Sequence, residues 1–178
     1  MGLLDRFNKQ KQLDGLAHQR EKRAEATQRG DVVPIHFVER EWDKPDEGPD
    51  DIWGRGYVLR DDKGLNVYED GPELLALEAI VTKVAGVSFY SDALQDPAFA
   101  PGQPLTLIPE PDNKYDATAV GVWDASSQLM VGRIPKELCG AVGDRINAGQ
   151  TLRVMSIWEW VKKPSEERVG LKIFIGHA

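Results

Sequence analysis

Aromatic side chains occur in two short segments of the sequence, and in the second segment they stand beside carboxylates. The first segment ends in Phe89 and Tyr90, and the second, residues 110–116, reads Glu-Pro-Asp-Asn-Lys-Tyr-Asp. A flat ring such as that of Tyr115 stacks on other planar groups, with a gain of about 1–3 kcal/mol per base when the partner is a nucleobase. The carboxylate of Asp116 is ionised at neutral pH and only accepts hydrogen bonds, so it suits a hydroxyl donor and repels a phosphate.

Amide and cationic side chains lie close to these residues in the sequence. Asn113 both donates and accepts hydrogen bonds, which suits a base edge or a sugar. Lys136 follows Pro135, which fits the first turn of a helix. A cation beside the free N–H groups of a helix start suits a phosphate. Lys114 and Arg133 are further candidates, and for Arg133 an ion pair with a carboxylate is the alternative interpretation.

Enzyme chemistry finds little support in the sequence. We find no Gly-rich phosphate loop, no nucleophile elbow, and no His–carboxylate or Cys–His pair at a catalytic spacing. The three histidines lie far apart, and the one cysteine, Cys139, lies on the apolar side of the predicted helix, where a core position is expected. We therefore expect no enzyme activity, no metal and no cofactor.

The net charge of −7 over 178 residues at first argues against binding to nucleic acid. The charge is unevenly distributed, however, with +3 over residues 1–29, −9 over residues 30–79 and −1 over residues 80–178. The sequence contains no apolar run of transmembrane length and no secretory signal pattern. We expect a cytoplasmic protein whose acidity lies outside its C-terminal hundred residues.

Four regions follow from composition and periodicity. Residues 1–29 predict an amphipathic helix with a thin apolar stripe, and residues 30–51 predict an acidic linker rich in proline. Residues 52–78 predict an extension built on a hairpin that turns at Asp61-Asp62-Lys63-Gly64. Residues 79–178 predict a domain of five to six short strands with one main helix, which is the pattern of a small β-barrel. Its first strand is expected over Ile80–Tyr90.

Three motifs in this last region resemble the HIRAN domain. They are Val84-Ala-Gly-Val-Ser-Phe-Tyr90, then the run from Leu105 through Glu-Pro-Asp-Asn-Lys-Tyr-Asp to Val120, then Val131-Gly-Arg-Ile-Pro-Lys-Glu-Leu138. HIRAN domains occur at the front of some SWI/SNF-type DNA translocases and as stand-alone bacterial proteins. The resemblance covers about residues 79–178.

The resemblance implies a mostly β fold with some helix, a modified OB-like or SH3-like barrel. It also implies a non-enzymatic module that captures the 3′ end of single-stranded DNA. Terminal bases would lie against aromatic rings, and the Asp of the Tyr-Asp pair would bind the terminal 3′-hydroxyl. The positions that match are Phe89, Tyr90, Asn113, Lys114, Tyr115, Asp116, Arg133 and Lys136.

Several alternatives stay open for these residues. Asp116 either binds a ligand or organises its own turn, and Tyr115 either stacks on a base or packs over the end of the barrel. If the strand continues through Phe89 and Tyr90, one ring is in the core and the other is exposed, and we expect the exposed ring to be Tyr90. The chain also departs from the DNA-binding eukaryotic members at Ser88, where they carry Arg.

A function of another class is also open. In that interpretation the chain is an adaptor, the barrel is a scaffold, and residues 1–51 bind a protein partner. The acidic segment appended to the domain favours this alternative.

Overall fold

The computed structural model describes residues 34–43, 51–69 and 71–177. It is mostly β, with one long helix and several short ones. The strands are β1 (Ile35–Asp43), β2 (Ile52–Asp61), β3 (Ile80–Lys83), β4 (Pro104–Pro109), β5 (Val120–Asp124), β6 (Met130–Arg133), β7 (Leu152–Lys162) and β8 (Glu167–His177). The α-helices are α1 (Pro72–Ala76), α2 (Ser91–Leu94) and α3 (Lys136–Asn147), and two 3₁₀ helices cover Val87–Tyr90 and Pro97–Phe99.

Strand β7 is the centre of the antiparallel sheet. Its whole length pairs with β8, its first half pairs with β4, and its second half pairs with β2. Two breaks in the β7–β8 register, at 156–158 and 160–161, locally disturb this pairing. Such irregularities bend a strand and increase its twist, so that one strand can pair with different neighbours along its length.

The strand ladder is not closed into a continuous ring. From β7 the sheet runs through β4 and β5 to β6 on one side, and through β8 to β3 on the other. The two ends meet at an isolated bridge, where Ala85 and Arg133 exchange two backbone hydrogen bonds of 2.8 and 2.9 Å. The expectation of a mostly β fold is thus confirmed, whereas the specific barrel is not.

The predicted acidic linker over residues 30–51 needs correction, because part of it is strand β1. Ile35 and Phe37 pack against an apolar cluster, and this burial outweighs the charge of the neighbouring residues. The hairpin predicted within residues 52–78 also differs. Strand β2 does turn at Gly64, but the return segment makes a single bridge, Arg60–Asn66, and the partner that runs alongside β2 is β1.

Two apolar cores lie against the sheet. The larger one contains Val122, Val142 and Ile173, all fully buried, and it also contains Cys139, as the sequence predicts. The smaller one forms where β1, β2 and α1 pack against β3, β7 and β8, and its buried members are Leu59, Val67, Leu74, Ala79, Val81 and Ile157. The residues before position 79 are therefore part of the folded unit as far as the structure describes them.

A buried carboxylate stabilises the join between this extension and the domain. Glu159 on β7 is 1% exposed and accepts hydrogen bonds from Arg55 on β2 and from Arg168 on β8. Arg168 also donates to the backbone carbonyls of Leu94 and Asp96. One acidic side chain thus connects β2, β7 and β8, and through Arg168 it reaches the segment around α2.

Two further sequence predictions concern a helix over residues 1–29 and the absence of a membrane-spanning segment. The predicted helix over residues 1–29 lies outside the described residues. No helix in the described part of the chain has the length and apolar character needed to cross a membrane.

We predict that Glu159→Gln lowers the free energy of unfolding by about 3–5 kcal/mol, because removing one partner leaves buried arginine charge uncompensated. Urea denaturation measures this change. Glu166→Gln is the matched control, since Glu166 pairs with Lys163 at the surface and its loss should leave stability nearly unchanged. Equal losses in the two variants would contradict a special role for the buried carboxylate.

Candidate nucleic-acid interface

The first segment of the site, residues 84–90, leaves the sheet earlier than the sequence suggests. Strand β3 ends at Lys83, Gly86 adopts a left-handed conformation (φ 73°), and residues 87–90 form a 3₁₀ helix. The predicted strand over Ile80–Tyr90 is therefore wrong in its second half. A positive φ suits glycine, which has no Cβ to clash with the backbone, and it turns the chain out of the strand direction.

This turn decides which ring is exposed. Phe89 is 87% exposed, whereas Tyr90 is partly buried against Arg133, whose guanidinium carbon lies 5.9 Å from the Tyr90 ring centroid. The expectation that Tyr90 would be the exposed ring is wrong. Residues in a 3₁₀ helix are about a third of a turn apart rather than on opposite faces, so the alternation expected of a strand does not apply.

The second segment, residues 110–116, is a turn organised by Asn113. Its amide oxygen accepts the backbone N–H groups of Tyr115 (3.0 Å) and Asp116 (3.3 Å), and its amide nitrogen donates to Glu110 (2.7 Å). Tyr115 projects from the turn with 86% of its surface exposed. The ammonium group of Lys114 lies 4.9 Å from the centroid of this ring, close enough for a cation–π contact.

Arg133 joins the two segments. Its guanidinium forms an ion pair with Glu110 (2.9 Å), the same carboxylate that accepts from Asn113, and it also contacts Tyr90. The ion pair raises the pKa of Arg133 above its usual value. Its backbone forms the bridge to Ala85, at the start of the first turn. The arginine therefore serves mainly to hold the two aromatic segments side by side.

Asp116 is held by one of its two carboxylate oxygens. Oδ1 accepts both the hydroxyl (2.6 Å) and the backbone N–H (2.9 Å) of Thr118. These bonds, helped by attraction from Lys136 at the start of α3, hold the pKa of Asp116 below its ordinary value. Among the described residues, no hydrogen bond to Oδ2 is seen, so the aspartate both organises its turn and offers an oriented, ionised acceptor.

The structure thus brings most of the predicted residues into one place. Asn113 and Arg133 both bind Glu110, Tyr90 contacts Arg133, and Lys136 helps to lower the pKa of Asp116. Glu110 is a functional residue that the sequence does not predict, although it lies at the start of the Glu-Pro-Asp-Asn-Lys-Tyr-Asp run. Its partner Arg133 is 23 residues away and on another strand, so no local spacing reveals the pair.

The described part of the extension does not cover the exposed rings. Its described part, β1, β2 and α1, packs on the smaller core and on the second half of β7, and both Phe89 and Tyr115 stay more than four-fifths exposed. Within the described ranges, no cluster of three or more His, Cys, Asp or Glu side chains is arranged to hold a metal ion. The geometry therefore suits recognition of a ligand by stacking and hydrogen bonding.

Comparison with known families assigns the domain. The sequence model of the HIRAN domain matches residues 77–176, which is more than half of the chain. The chain therefore belongs to the HIRAN domain family, and the resemblance noted over about residues 79–178 is confirmed. None of the curated proteins compared with it matches the chain.

Two solved structures are similar to part of the chain. The crystal structure of the HIRAN domain of human HLTF is 18% identical, with 56% of this chain and 74% of that chain covered and a TM-score of 0.43. The crystal structure of a protein from Lactobacillus plantarum is 20% identical, with 56% of this chain and 97% of that chain covered and a TM-score of 0.42.

We predict that Asn113→Ala loosens the turn that presents Tyr115 and Asp116. Each of their N–H groups loses an acceptor worth about 0.5–1.5 kcal/mol, so their amide exchange rates should rise roughly 2- to 12-fold. Amide hydrogen exchange followed by NMR measures this. Asp112→Ala, at the exposed neighbouring position, is the control, and unchanged exchange in Asn113→Ala would show that the turn does not depend on this side chain.

Proposed function

We propose that this chain is a non-enzymatic module that captures single-stranded DNA at its 3′-hydroxyl end. HIRAN domains are in general DNA-binding modules, and the chain belongs to that family. The terminal bases would stack on Phe89 and Tyr115, and the terminal hydroxyl would donate to Asp116. Strands β3 to β8 would correspond to the OB-like barrel implied by the resemblance, and we propose a cytoplasmic location.

One observation supports this proposal most strongly. Two almost fully exposed aromatic rings lie on segments that Arg133 and Glu110 join, next to a carboxylate with one oxygen already fixed by Thr118. Exposed rings cost free energy in water unless a partner covers them, and nucleobases present planar faces for that purpose. An ionised carboxylate accepts a hydrogen bond from a hydroxyl and repels a phosphate, which gives a physical reason for end specificity.

The charges favour weak, end-specific binding over broad electrostatic coating. Residues 80–178 sum to −1, and Ser88 stands where the DNA-binding relatives have an arginine, so one phosphate contact is expected to be missing. Lys136, close enough to Asp116 to affect its pKa, would contact the terminal phosphodiester, and Lys114 would partly compensate for Ser88. Binding should therefore come mainly from stacking and from the hydroxyl contact.

We predict that Phe89→Ala and Tyr115→Ala each weaken binding to a 3′-hydroxyl oligonucleotide by about 5- to 150-fold, the equivalent of one lost base stack of about 1–3 kcal/mol. Fluorescence anisotropy with a labelled oligonucleotide measures the dissociation constant. Leu75→Ala is the matched control, since Leu75 is also a large apolar side chain, 74% exposed, on α1. If both aromatic variants bind as the control does, the stacking proposal fails.

We predict that the wild-type protein binds a 3′-hydroxyl oligonucleotide at least about tenfold more tightly than the same sequence with a 3′-phosphate, because Asp116 repels the added negative charge. Asp116→Asn should abolish most of this preference, since the amide keeps the shape but loses the charge. Competition titrations with both oligonucleotides measure the ratio. Equal affinities in the wild-type protein would contradict end recognition.

A further inference from the structure

A second aromatic side chain flanked by cations lies where β7 pairs with β8 and β8 pairs with β3. Lys83 at the end of β3 pairs across the strands with Lys172 on β8, and both ammonium groups lie over the ring of Trp160 on β7, at 5.0 and 5.4 Å from its centroid. Trp160 is opposite Gly170, whose missing side chain lets the indole lie flat against β8. We call Lys83, Trp160 and Lys172 the β-face patch.

The β-face patch lies beside the segment that carries Phe89. Lys83 is the last residue of β3, and the next residue, Val84, donates its N–H to Leu171, the neighbour of Lys172 on β8. Strand β8 also contacts the 3₁₀ helix of residues 87–90. The chain therefore passes directly from the β-face patch into the turn that presents Phe89.

The two lysines differ in how firmly they are held. Lys83 is exposed at the edge of the sheet, whereas Lys172 is 19% exposed and forms an ion pair with Glu69 in the extension. Among the described residues Lys83 has no ion pair to lose when it contacts a ligand, whereas Lys172 is held by Glu69 and lies over the Trp160 ring.

We infer that the β-face patch binds the nucleotides on the 5′ side of the captured 3′ end, an inference that rests on the proposed function. Single-stranded nucleic acid supplies both groups that the β-face patch fits, a phosphate for the exposed ammonium of Lys83 and a planar base for the part of the Trp160 indole that stays exposed. An acidic peptide would use the ammonium groups and leave the exposed part of the indole without a planar partner. The observations therefore favour a nucleic acid strand that continues from Phe89 towards Trp160.

The experiment compares 3′-hydroxyl oligonucleotides of about four and about twelve nucleotides, lengths that span known single-strand sites. The longer one should bind the wild-type protein more tightly. Lys83→Ala should weaken the longer one about fivefold at about 0.1 M salt, and reduce the slope of log K against log salt by about 0.7, the value of one lost phosphate contact. It should leave the shorter one unchanged. Lys63→Ala, in the turn after β2, is the control.

Three results would overturn the inference, and a fourth would overturn the proposed function. Equal affinity of the two lengths, or an unchanged affinity of Lys83→Ala for the longer one, would show that the strand does not reach the β-face patch, while the proposed function would stand. An octaglutamate peptide that binds as tightly as the longer oligonucleotide, and depends on Lys83, would assign the patch to an acidic partner. Failure of the short oligonucleotide to bind would overturn the proposed function itself.

Discussion

The fold depends on strand β7, which pairs with three neighbouring strands. Because β7 pairs with β8 throughout, with β4 at its beginning and with β2 at its end, both apolar cores form against the same pair of strands. The buried carboxylate of Glu159 lies on this strand and forms ion pairs with Arg55 on β2 and Arg168 on β8. The larger core thereby fixes the ends of β3 and β6, where the proposed site is built.

The site depends in turn on one ion pair between distant residues. Arg133 is the last residue of β6, and its side chain forms an ion pair with Glu110. This ion pair holds together the turns that carry Phe89 and Tyr115. The ion pair is part-exposed, so its free energy contribution is modest. Its importance is geometric, because the proposed stacking of bases on Phe89 and Tyr115 requires that both rings keep their places. Asp116 is restrained separately, by Thr118 in its own turn.

Part of this fold can be predicted from the sequence, and the predictions that are wrong fail for physical reasons. The helix after Pro135 and the buried Cys139 follow from local periodicity, and both are confirmed. The early end of β3 was not anticipated, because a glycine within a β-prone run is compatible with both a bulge and a turn out of the sheet. Composition predicts a linker where strand β1 lies, because it reports charge density and does not report that Phe37 packs on an apolar surface formed by distant residues.

The residues that join the segments are the least predictable part of the site. Glu110 and Arg133 are ordinary surface residue types, and only the tertiary fold makes them partners. The acidic total charge was equally uninformative, because it averages an acidic extension with a near-neutral domain. Family membership identified the region of interest, and the packing of the turns identified Phe89 rather than Tyr90 as the open ring.

The most direct test of the central claim is a crystal structure of the full chain with a short 3′-hydroxyl oligonucleotide. We expect the terminal hydroxyl within about 2.5–3.0 Å of Oδ2 of Asp116, with bases stacked on Phe89 and Tyr115. A complex in which the DNA end lies away from Asp116, or in which both rings stay uncovered, would contradict the account.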